Sequence, residues 1–320
     1  MNVALVGSNF SLRGYLPAIN KVKKLKLKII CSRDKNKIPK KILRKIDHES
    51  DWKNIFSKNI DLIILAVPPK LQEKILLFNM KYKKKIIFEK PISTSYSTSK
   101  KIIKKIIQKK IKAEINLTYL NHELFQKINK IIKKKKFGEV IKYKIIWNFV
   151  SIDFNKKIRS WKTIENQGGG IKNIFLSHVL SYCEFFFGKI SLENYVIKKS
   201  KFSGINFKKY IFLNLKNKRN INGSVLLFTK KRGNQNHKIE INFEKGKVIL
   251  FTNSKDWTKN FQLKIYQNKL IKKYIQTSKK KFKDGRSYQI YSMIKKFLKK
   301  PNNQNLNFCL NSELINKKII

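Results

Sequence analysis

The sequence is poor in cysteine and in long apolar runs, and each shortage excludes a class of protein. Its 320 residues include three cysteines, Cys31, Cys183 and Cys309. Their odd number and wide spacing suit neither a disulfide framework nor a zinc site, so we predict no bound metal and a reducing, cytoplasmic location. Even the apolar stretch from Ile174 to Phe187 is interrupted by polar residues, and no run reaches the about 18 apolar residues that span a bilayer. We therefore predict no membrane-spanning segment.

Acidic residues and arginines are also scarce, although the chain is strongly basic. Nineteen Asp and Glu face 74 Lys and Arg, for a formal net charge of +55, and only seven of the basic residues are arginines. Recognition of bases and phosphates favours the forked guanidinium of arginine, whereas these lysines occur in every segment. The composition predicts a solvated lysine coat and no specific nucleic-acid partner. A selected nucleic-acid surface is the alternative, and no familiar nucleic-acid motif supports it.

The first third of the chain alternates short apolar runs with lysine-studded helical periods. Almost continuous apolar strands are typical of a parallel sheet that helices cover on both faces. Predicted strands cover residues 3–6, 27–31, 62–67 and 86–88, and predicted helices cover 12–22, 71–82 and 95–110. This pattern predicts an α/β domain of the Rossmann type, a doubly wound parallel sheet, over residues 1–118.

Beyond Thr118 the pattern changes to longer stretches of alternating polar and apolar residues, separated by turn formers such as Asn222-Gly223. This pattern is typical of antiparallel strands. Predicted strands cover 115–117, 141–150, 210–215, 225–228, 239–243, 248–251 and 263–266, and predicted helices cover 124–135, 174–187 and 288–298. Residues 119–320 should therefore form an α+β domain on a large, mostly antiparallel open sheet. We expect this domain to bind substrate and to form a homo-oligomer through its sheet.

The turn after the first strand reads Gly7-Ser8-Asn9-Phe10. A dinucleotide-binding turn needs glycines so that backbone amides can approach a pyrophosphate at a helix N-terminus. Only the first glycine of the G-x-G-x-x-G pattern is present, since Asn9 and Leu12 occupy the second and third positions. With the surrounding alternation, the turn still predicts that Gly7, Ser8, Asn9 and Phe10 contact a dinucleotide.

The end of the second strand bears on the choice of cofactor. Here Cys31 is followed by Ser32, Arg33 and Asp34. An acidic residue in this region holds the ribose 2′-hydroxyl of NAD, and an arginine accommodates the 2′-phosphate of NADP. Ser32 and Arg33 favour NADP, and Asp34 keeps NAD open.

A series of motifs then follows in order along the chain: Leu65-Ala66-Val67-Pro68-Pro69, Phe88-Glu89-Lys90-Pro91, Phe137-Gly138-Glu139-Val140, Ser160-Trp161-Lys162, Gly168-Gly169-Gly170, His178 and Gly188. In order and spacing this set resembles the Gfo/Idh/MocA family, the glucose-fructose oxidoreductases and inositol dehydrogenases. The resemblance runs from Val3 to about Gly188 on specific motifs, and more loosely beyond.

The resemblance implies hydride transfer between a nicotinamide cofactor and a hydroxyl or carbonyl group of a sugar, polyol or sugar nucleotide. Further cofactor contacts are implied at Ala66, Val67, Pro68, Glu89 and Lys90. The lysine of the Glu-Lys-Pro motif lies near the reacting hydroxyl in such enzymes, so Lys90 is the first catalytic candidate. Burial and neighbouring positive charge would lower its pKa towards neutrality. The second candidate is His178, whose imidazole suits proton exchange near neutral pH.

The chain also departs from the family pattern. An aspartate is expected four residues before the histidine, but Ile174 stands there, and the neighbouring Asn173 points about 100° away on an ideal helix. Tyr119, Lys162 and Asn173 are candidate substrate contacts. Gln72 occupies a position where many relatives carry histidine, and no role is predicted for it. The departure at Ile174 supports an alternative function, a cofactor-binding sensor or scaffold with impaired catalysis.

Overall fold

The protein is described by a computed structural model that covers residues 1–202, 205–230, 233–277, 282–301 and 303–320. It divides into two compact units. The first unit contains Met1–Thr118 and Phe282–Leu310, and the second contains Tyr119–Lys281 and Asn311–Ile320. The sequence pattern predicts a division near Thr118 with residues 282–310 in the second domain, whereas the structure groups this segment with the first unit.

The first unit is built on a parallel sheet. Among the described residues its strands are β1 (Asn2–Val6), β2 (Lys26–Cys31), β3 (Asp47–Glu49), β4 (Leu62–Leu65), β5 (Lys85–Phe88) and β6 (Ala113–Ile115). Their order is β3-β2-β1-β4-β5-β6, the order of a Rossmann dinucleotide-binding sheet. Every residue of β4 is buried, which explains the unbroken apolar run in the sequence. The structure thus confirms the predicted α/β fold of this part of the chain.

The α-helices of the described residues are α1 (Leu16–Asn20), α2 (Lys40–Leu43), α3 (Pro69–Tyr82), α4 (Tyr96–Gln108), α5 (Glu123–Lys133), α6 (Ile152–Asn155), α7 (Ser177–Phe187), α8 (Gly285–Lys299) and α9 (Gln304–Lys318). Two π-helical turns precede helices in the chain: Ser11–Tyr15 leads into α1, and Lys172–Leu176 leads into α7. No helix within the described ranges has both the length and the apolar character that crossing a bilayer requires.

Helix α8 explains why residues 282–310 join the first unit. Ile290, Met293, Ile294 and Phe297 recur at helical spacing, and they are buried in the core that contains Val3 and its neighbours. Their burial therefore ties a segment from the end of the chain to the sheet formed at its start.

The second unit is built on an open sheet. Its strands in the described ranges are β7 (Val140–Phe149), β8 (Ile190–Phe202), β9 (Ile205–Asn217), β10 (Asn222–Thr229), β11 (Asn236–Phe243), β12 (Gly246–Thr252), β13 (Gln262–Gln267) and β14 (Lys269–Ile275). The order is β14-β13-β12-β11-β7-β10-β9-β8. Neighbours are antiparallel except β7 and β10, which are parallel. This arrangement confirms the predicted large, mostly antiparallel sheet.

The two faces of the second sheet differ in burial. Along β11 the buried side chains are His237, Ile239, Ile241 and Phe243, and the side chains between them are half-exposed. Aromatic contacts connect helices to the buried face, since Phe187 of α7 stacks on Tyr143 at 4.1 Å and Phe125 of α5 lies edge-on to Phe261 at 5.6 Å. One face therefore carries the core of this unit.

Several elements of the structure were not predicted from the sequence. They include β3, β8, β14, α2, α6, α9 and most of β9. Strand β14 is an edge strand whose side chains are nearly all exposed, and a lysine-rich edge lacks the apolar alternation that marks a half-buried strand. Such strands form because they hydrogen-bond to a neighbouring strand, and the local sequence does not indicate which strand that is.

Candidate functional site

The turn after β1 is shaped by Gly7. Its φ is +119°, a backbone conformation that favours glycine, and its N–H donates to the carbonyl oxygen of Cys31 at 2.8 Å. A Cβ at this position would lie 2.5 Å from the carbonyl oxygen of Ala66, at the end of β4. The close approach of β1 and β4 therefore leaves no space for a side chain, as a dinucleotide-binding turn requires.

A second glycine, Gly14, lies two residues beyond the third glycine position of the dinucleotide-binding pattern. With Leu12 at the third glycine position, the chain forms the π-helical turn Ser11–Tyr15. A Cβ at Gly14 would lie 2.4 Å from the ring of Phe10, so Gly14 lets this ring lie against the turn. The Phe10 ring also contacts the edge of Tyr15, with centroids 5.6 Å apart. Close packing at this turn therefore depends on Gly14 and Phe10 in place of the third glycine.

This turn fits a dinucleotide. The side chain of Ser11 is fully buried, and its Oγ has no hydrogen-bond partner within the described parts of the chain. That oxygen lies 3.3 Å from the position that a Cβ on Gly7 would take. Ser8 is half-buried and Asn9 is exposed. A cradle closed to side chains beside an unused hydroxyl is suited to a phosphate-bearing ligand at a helix start.

The end of β2 presents one arginine to solvent. Arg33 is exposed, and Ser32 is buried with its Oγ donating to the carbonyl oxygen of Asp34 at 3.2 Å. The Asp34 carboxylate accepts from the N–H of Asn36 at 3.0 Å and pairs with Lys37 at 3.2 Å. Arg33 is therefore exposed to an incoming ligand at this strand end, whereas the Asp34 carboxylate is engaged in its own turn.

The Glu-Lys-Pro loop after β5 is held by Gln72 of α3. The Gln72 side-chain amide donates to the carbonyl oxygens of Glu89 at 2.7 Å, Pro91 at 2.9 Å and Ile92 at 3.1 Å. Its carbonyl oxygen accepts from the N–H of Glu89 at 2.9 Å. The Lys90–Pro91 peptide bond is cis. A single buried carboxamide therefore satisfies both edges of the loop that carries Lys90.

Glu89 faces into the first unit. Its Oε1 accepts from the hydroxyl of Tyr15 at 2.5 Å and from the side-chain amide of Asn116 at 2.8 Å. Burial raises the pKa of Glu89, against the opposing effect of these two donors. Burial and the adjacent carboxylate raise the pKa of Tyr15 well above its usual value, so its phenol stays a donor. Glu89 therefore joins the turn after β1 to the loop after β5.

Lys90 lies at the C-terminal end of the sheet with its side chain half-buried. Desolvation lowers the pKa of Lys90 to about 8, and the positive charge of Arg286 acts in the same direction. The charge of Glu89 opposes this shift. An amine with this pKa has both protonation states populated near neutral pH, as a proton-exchanging group needs.

In the second unit, His178 belongs to an aromatic cluster around Tyr119. Tyr119 is buried, stacks on Phe125 at 5.0 Å, and donates its hydroxyl to the carbonyl oxygen of Trp257 at 3.1 Å. His178, on α7, presents its ring perpendicular to that of Tyr119 at 5.4 Å. Two of the predicted site residues are therefore brought into contact within this unit.

Two further histidines lie in the same cluster. His237 stacks on Trp147 at 4.4 Å, and its Nε2 is 3.0 Å from the hydroxyl of Tyr182. His122 accepts the N–H of Leu124 at its Nδ1, at 3.2 Å. Burial lowers the pKa of His122 to about 4 and that of His237 to about 3. Both rings are therefore neutral at physiological pH.

The triple-glycine segment positions Asn173. The amide of Asn173 donates to the carbonyl oxygen of Gly169 at 2.8 Å, while a Cβ on Gly169 would lie 1.9 Å from the carbonyl oxygen of Trp161. Ile174 is half-buried, where the family pattern has a carboxylate. Lys162 is 3.6 Å from Asp153 and 45% exposed. Asn173 and Lys162 thus keep local polar partners in this structure.

Comparison with known proteins identifies both parts of the chain. Residues 1–116 match the profile of the oxidoreductase family with an NAD-binding Rossmann fold, GFO_IDH_MocA, and residues 129–312 match the profile of its C-terminal alpha/beta domain. The chain belongs to the Gfo/Idh/MocA oxidoreductase family. It is an NAD(P)-binding oxidoreductase.

Solved structures of similar fold include two sugar-related enzymes. Levoglucosan dehydrogenase, in complex with NADH and levoglucosan, is 17% identical with a TM-score of 0.81, over 100% of this chain and 96% of that chain. KijD10, a 3-ketoreductase from Actinomadura kijaniata in complex with NADP and TDP-benzene, is 12% identical with a TM-score of 0.78, over 98% and 95%. At these identities the likeness shows the fold. A search of curated proteins by sequence gives no match.

Three residues of this Gfo/Idh/MocA chain escaped prediction although the structure gives them clear partners. Gln72 was noted without a role, and His122 and His237 were not noted at all. A glutamine at helical spacing from the apolar Ile75 and Leu76 could have signalled a backbone clamp. The two histidines lie far apart in sequence, and their shared contact with the aromatic cluster depends on the sheet. No group of metal-binding side chains occurs in the part of the chain that is described.

Replacing Gln72 with alanine should destabilise the first unit by about 2 to 4 kcal/mol, because a buried N–H and three carbonyl oxygens lose their partner. Chemical denaturation measures the change. Gln108→Ala, at an exposed position on α4, is the matched control and should change stability by less than about 0.5 kcal/mol. An effect of Gln72→Ala no larger than the control would contradict the clamp.

Two buried histidines should make the second unit less stable in acid, against an opposite contribution from Glu184, whose pKa burial raises to about 7. Both buried histidines have a folded-state pKa below the ordinary 6.5, so the unfolded chain takes up protons first as pH falls. Each should cost about 2 kcal/mol between pH 6.5 and 5, with no effect above that range. Unfolding measured across this range should be less acid-sensitive in His237→Gln and unchanged in His48→Gln, a variant of the first unit. Equal acid sensitivity in His237→Gln and wild type would refute this assignment.

Proposed function

We propose that the protein transfers a hydride between NADP or NAD and a hydroxyl or carbonyl carbon of a sugar, polyol or sugar nucleotide. The observation that carries this proposal is Lys90, half-buried at the end of β5 with its pKa lowered to about 8. Ligands of open α/β sheets bind at the carboxyl ends of the strands, where this amine lies.

Three loops of the first unit would hold the cofactor. They are the turn from Gly7 to Phe10, the segment from Ala66 to Pro68 after β4, and the pair Glu89-Lys90 after β5. The exposed Arg33 supports a preference for NADP, because an arginine at the end of the second strand accommodates a 2′-phosphate. When bound, the nicotinamide ring supplies the hydride acceptor or donor.

Lys90 moves the proton that balances the hydride. In alcohol oxidation its neutral amine takes the hydroxyl proton as the carbon–oxygen bond becomes a carbonyl. In carbonyl reduction its ammonium form returns that proton to the oxygen. A pKa of about 8 supplies both forms near neutrality. His178 is a second candidate for proton exchange, and Tyr119, Lys162 and Asn173 are candidate substrate contacts.

The choice of a sugar-type substrate rests on the ligands in solved structures of similar fold. The structures with levoglucosan and with TDP-benzene belong to enzymes of sugar chemistry. A net charge of +55 also favours anionic substrates such as sugar nucleotides, since it raises their local concentration. The same charge attracts nucleic acid without selectivity, and such attraction falls steeply with added salt.

The test combines cofactor binding with turnover. Wild-type protein is titrated with NADPH and NADH by nicotinamide fluorescence, then assayed on a panel of sugars, polyols and sugar nucleotides. Lys90→Met should lower turnover by about 10²- to 10⁴-fold while changing cofactor affinity only a few-fold. The control Lys101→Met removes one positive charge at an exposed position on α4, and it should leave turnover and cofactor affinity unchanged. Full turnover in Lys90→Met would remove Lys90 from this role.

A second candidate function is a cofactor-binding sensor or scaffold. It is favoured by Ile174, an apolar side chain where the family pattern supplies a carboxylate beside the histidine. This candidate predicts saturable cofactor binding by wild-type protein without turnover of any substrate in the panel. Measurable turnover that depends on Lys90 would eliminate it.

We also propose that a second copy of the chain covers the half-exposed face of the second sheet. Phe212, Leu226 and Ile146 lie side by side on adjacent strands of that face. Eight strands about 4.8 Å apart span about 34 Å, and seven-residue strands give about 24 Å in the other direction. The area of this face, the product of the two lengths, matches the about 800 Å² per partner that a stable dimer buries. The apolar strip formed by Phe212, Leu226 and Ile146 can pair with the same strip of a second copy across a two-fold axis.

Sedimentation equilibrium tests this dimer. Phe212→Lys should shift the protein towards monomer, because it places a charge within the apolar strip. Ile152→Lys removes an apolar side chain that is 67% exposed outside the sheet, and it should leave the assembly unchanged. A monomeric wild type would overturn the proposal.

The buried, reduced thiols of Cys31, Cys183 and Cys309 suit a cytoplasmic location, which we propose on that ground.

A further inference from the structure

Two arginines of the first unit converge on one carboxylate near the turn after β1. The Nε and Nη2 atoms of Arg286 donate to the two oxygens of Asp284, at 3.0 and 2.7 Å. The Nε of Arg13 lies 3.5 Å from the second of these oxygens. Asp284 therefore holds two guanidinium groups at one place beside this turn.

The cluster packs against the turn that is shaped for a dinucleotide. The guanidinium of Arg286 lies over the ring of Phe10, with 4.3 Å between its central carbon and the ring centroid. The hydroxyl of Ser287 donates to the carbonyl oxygen of Arg13 at 3.4 Å. Helix α8 therefore places a guanidinium over the ring of Phe10, which is three residues after Gly7, and the aromatic face orients it.

Arginine is informative at these positions because the chain uses it so rarely. Only seven of its 74 basic residues are arginines. The planar guanidinium has five N–H donors in a rigid fork and binds phosphate oxygens in pairs. The side chain of Arg286 is 29% exposed and that of Arg13 is 60% exposed, which makes both accessible to a ligand.

The turn itself lacks part of the usual means of binding phosphate. Asn9 and Leu12 stand where the second and third glycines would let backbone amides approach a diphosphate. A buried, unpartnered Ser11 hydroxyl remains beside Gly7. A dinucleotide held here brings two negative charges, and the side chains of Asn9 and Leu12 restrict its approach to the backbone amides, so donors on another element would compensate.

We propose that Arg286, with Arg13, binds the diphosphate of the dinucleotide in place of the close amide contacts that the missing glycines would allow. This inference rests on the proposed function, since it concerns the same cofactor site. It assigns separate tasks to the arginines of the first unit. Arg286 and Arg13 bind the diphosphate that NADH and NADPH share, and Arg33 binds the 2′-phosphate that only NADPH carries.

Fluorescence titration of purified full-length protein with NADH and with NADPH tests the assignment. Arg286→Met should raise the Kd about tenfold for both cofactors, because a charge-assisted contact to their common diphosphate is lost. Arg33→Met should weaken NADPH and spare NADH. The control Arg219→Met removes an exposed arginine of the second unit and should change neither Kd.

A purely structural role for Arg286 makes a different prediction. If Arg286 only anchors the start of α8 through Asp284, then Asp284→Asn should weaken cofactor binding as much as Arg286→Met does. If the guanidinium binds the diphosphate, Asp284→Asn keeps that charge and should bind both cofactors at least as tightly as wild type. Equal losses in the two variants, or no loss in Arg286→Met, would overturn this inference alone. Absence of saturable binding by wild type would overturn the proposed function and this inference with it.

Discussion

The buried carboxamide of Gln72 fixes the loop on which the site of the first unit depends. Its amide nitrogen and its oxygen together bind four backbone groups of residues 89–92. With that backbone held, Glu89 reaches Tyr15 and Asn116, and Lys90 stays at the end of β5. An apolar side chain could not satisfy both edges of the loop, because it offers neither the donor nor the acceptor that the Gln72 carboxamide supplies.

The same region shows how burial sets the protonation of neighbouring groups. Desolvation lowers the pKa of Lys90 and raises the pKa of Glu89, so the two pKa values come closer together. Tyr15 and Asn116 counter the shift at Glu89 by donating hydrogen bonds to its carboxylate. Arg286 adds a positive charge that lowers the pKa of both groups. The pKa of Lys90 is thereby brought towards neutrality by burial and by the charge of Arg286.

Much of the fold was predictable because its signals are local. The apolar strands β1, β2 and β4, the helix after Pro68-Pro69, and the motif around Lys90 can all be recognised in the sequence. The role of Gln72 could not be predicted, since its four partners become neighbours only when α3 packs beside β5. Likewise Arg286 lies 276 positions from Phe10, and no local pattern indicates that their side chains meet. The edge strand β14 was missed because lysines mask its periodicity.

The central claim is that the fold lowers the basicity of one lysine among 67. It is tested most directly by ¹³C NMR titration of the lysine side chains, with Lys90 assigned by the resonance that disappears in Lys90→Arg. The account predicts a pKa of about 8 for Lys90, falling further in Glu89→Gln because the neighbouring negative charge is removed. A Lys90 that titrates near the ordinary value of 10.5 would contradict it.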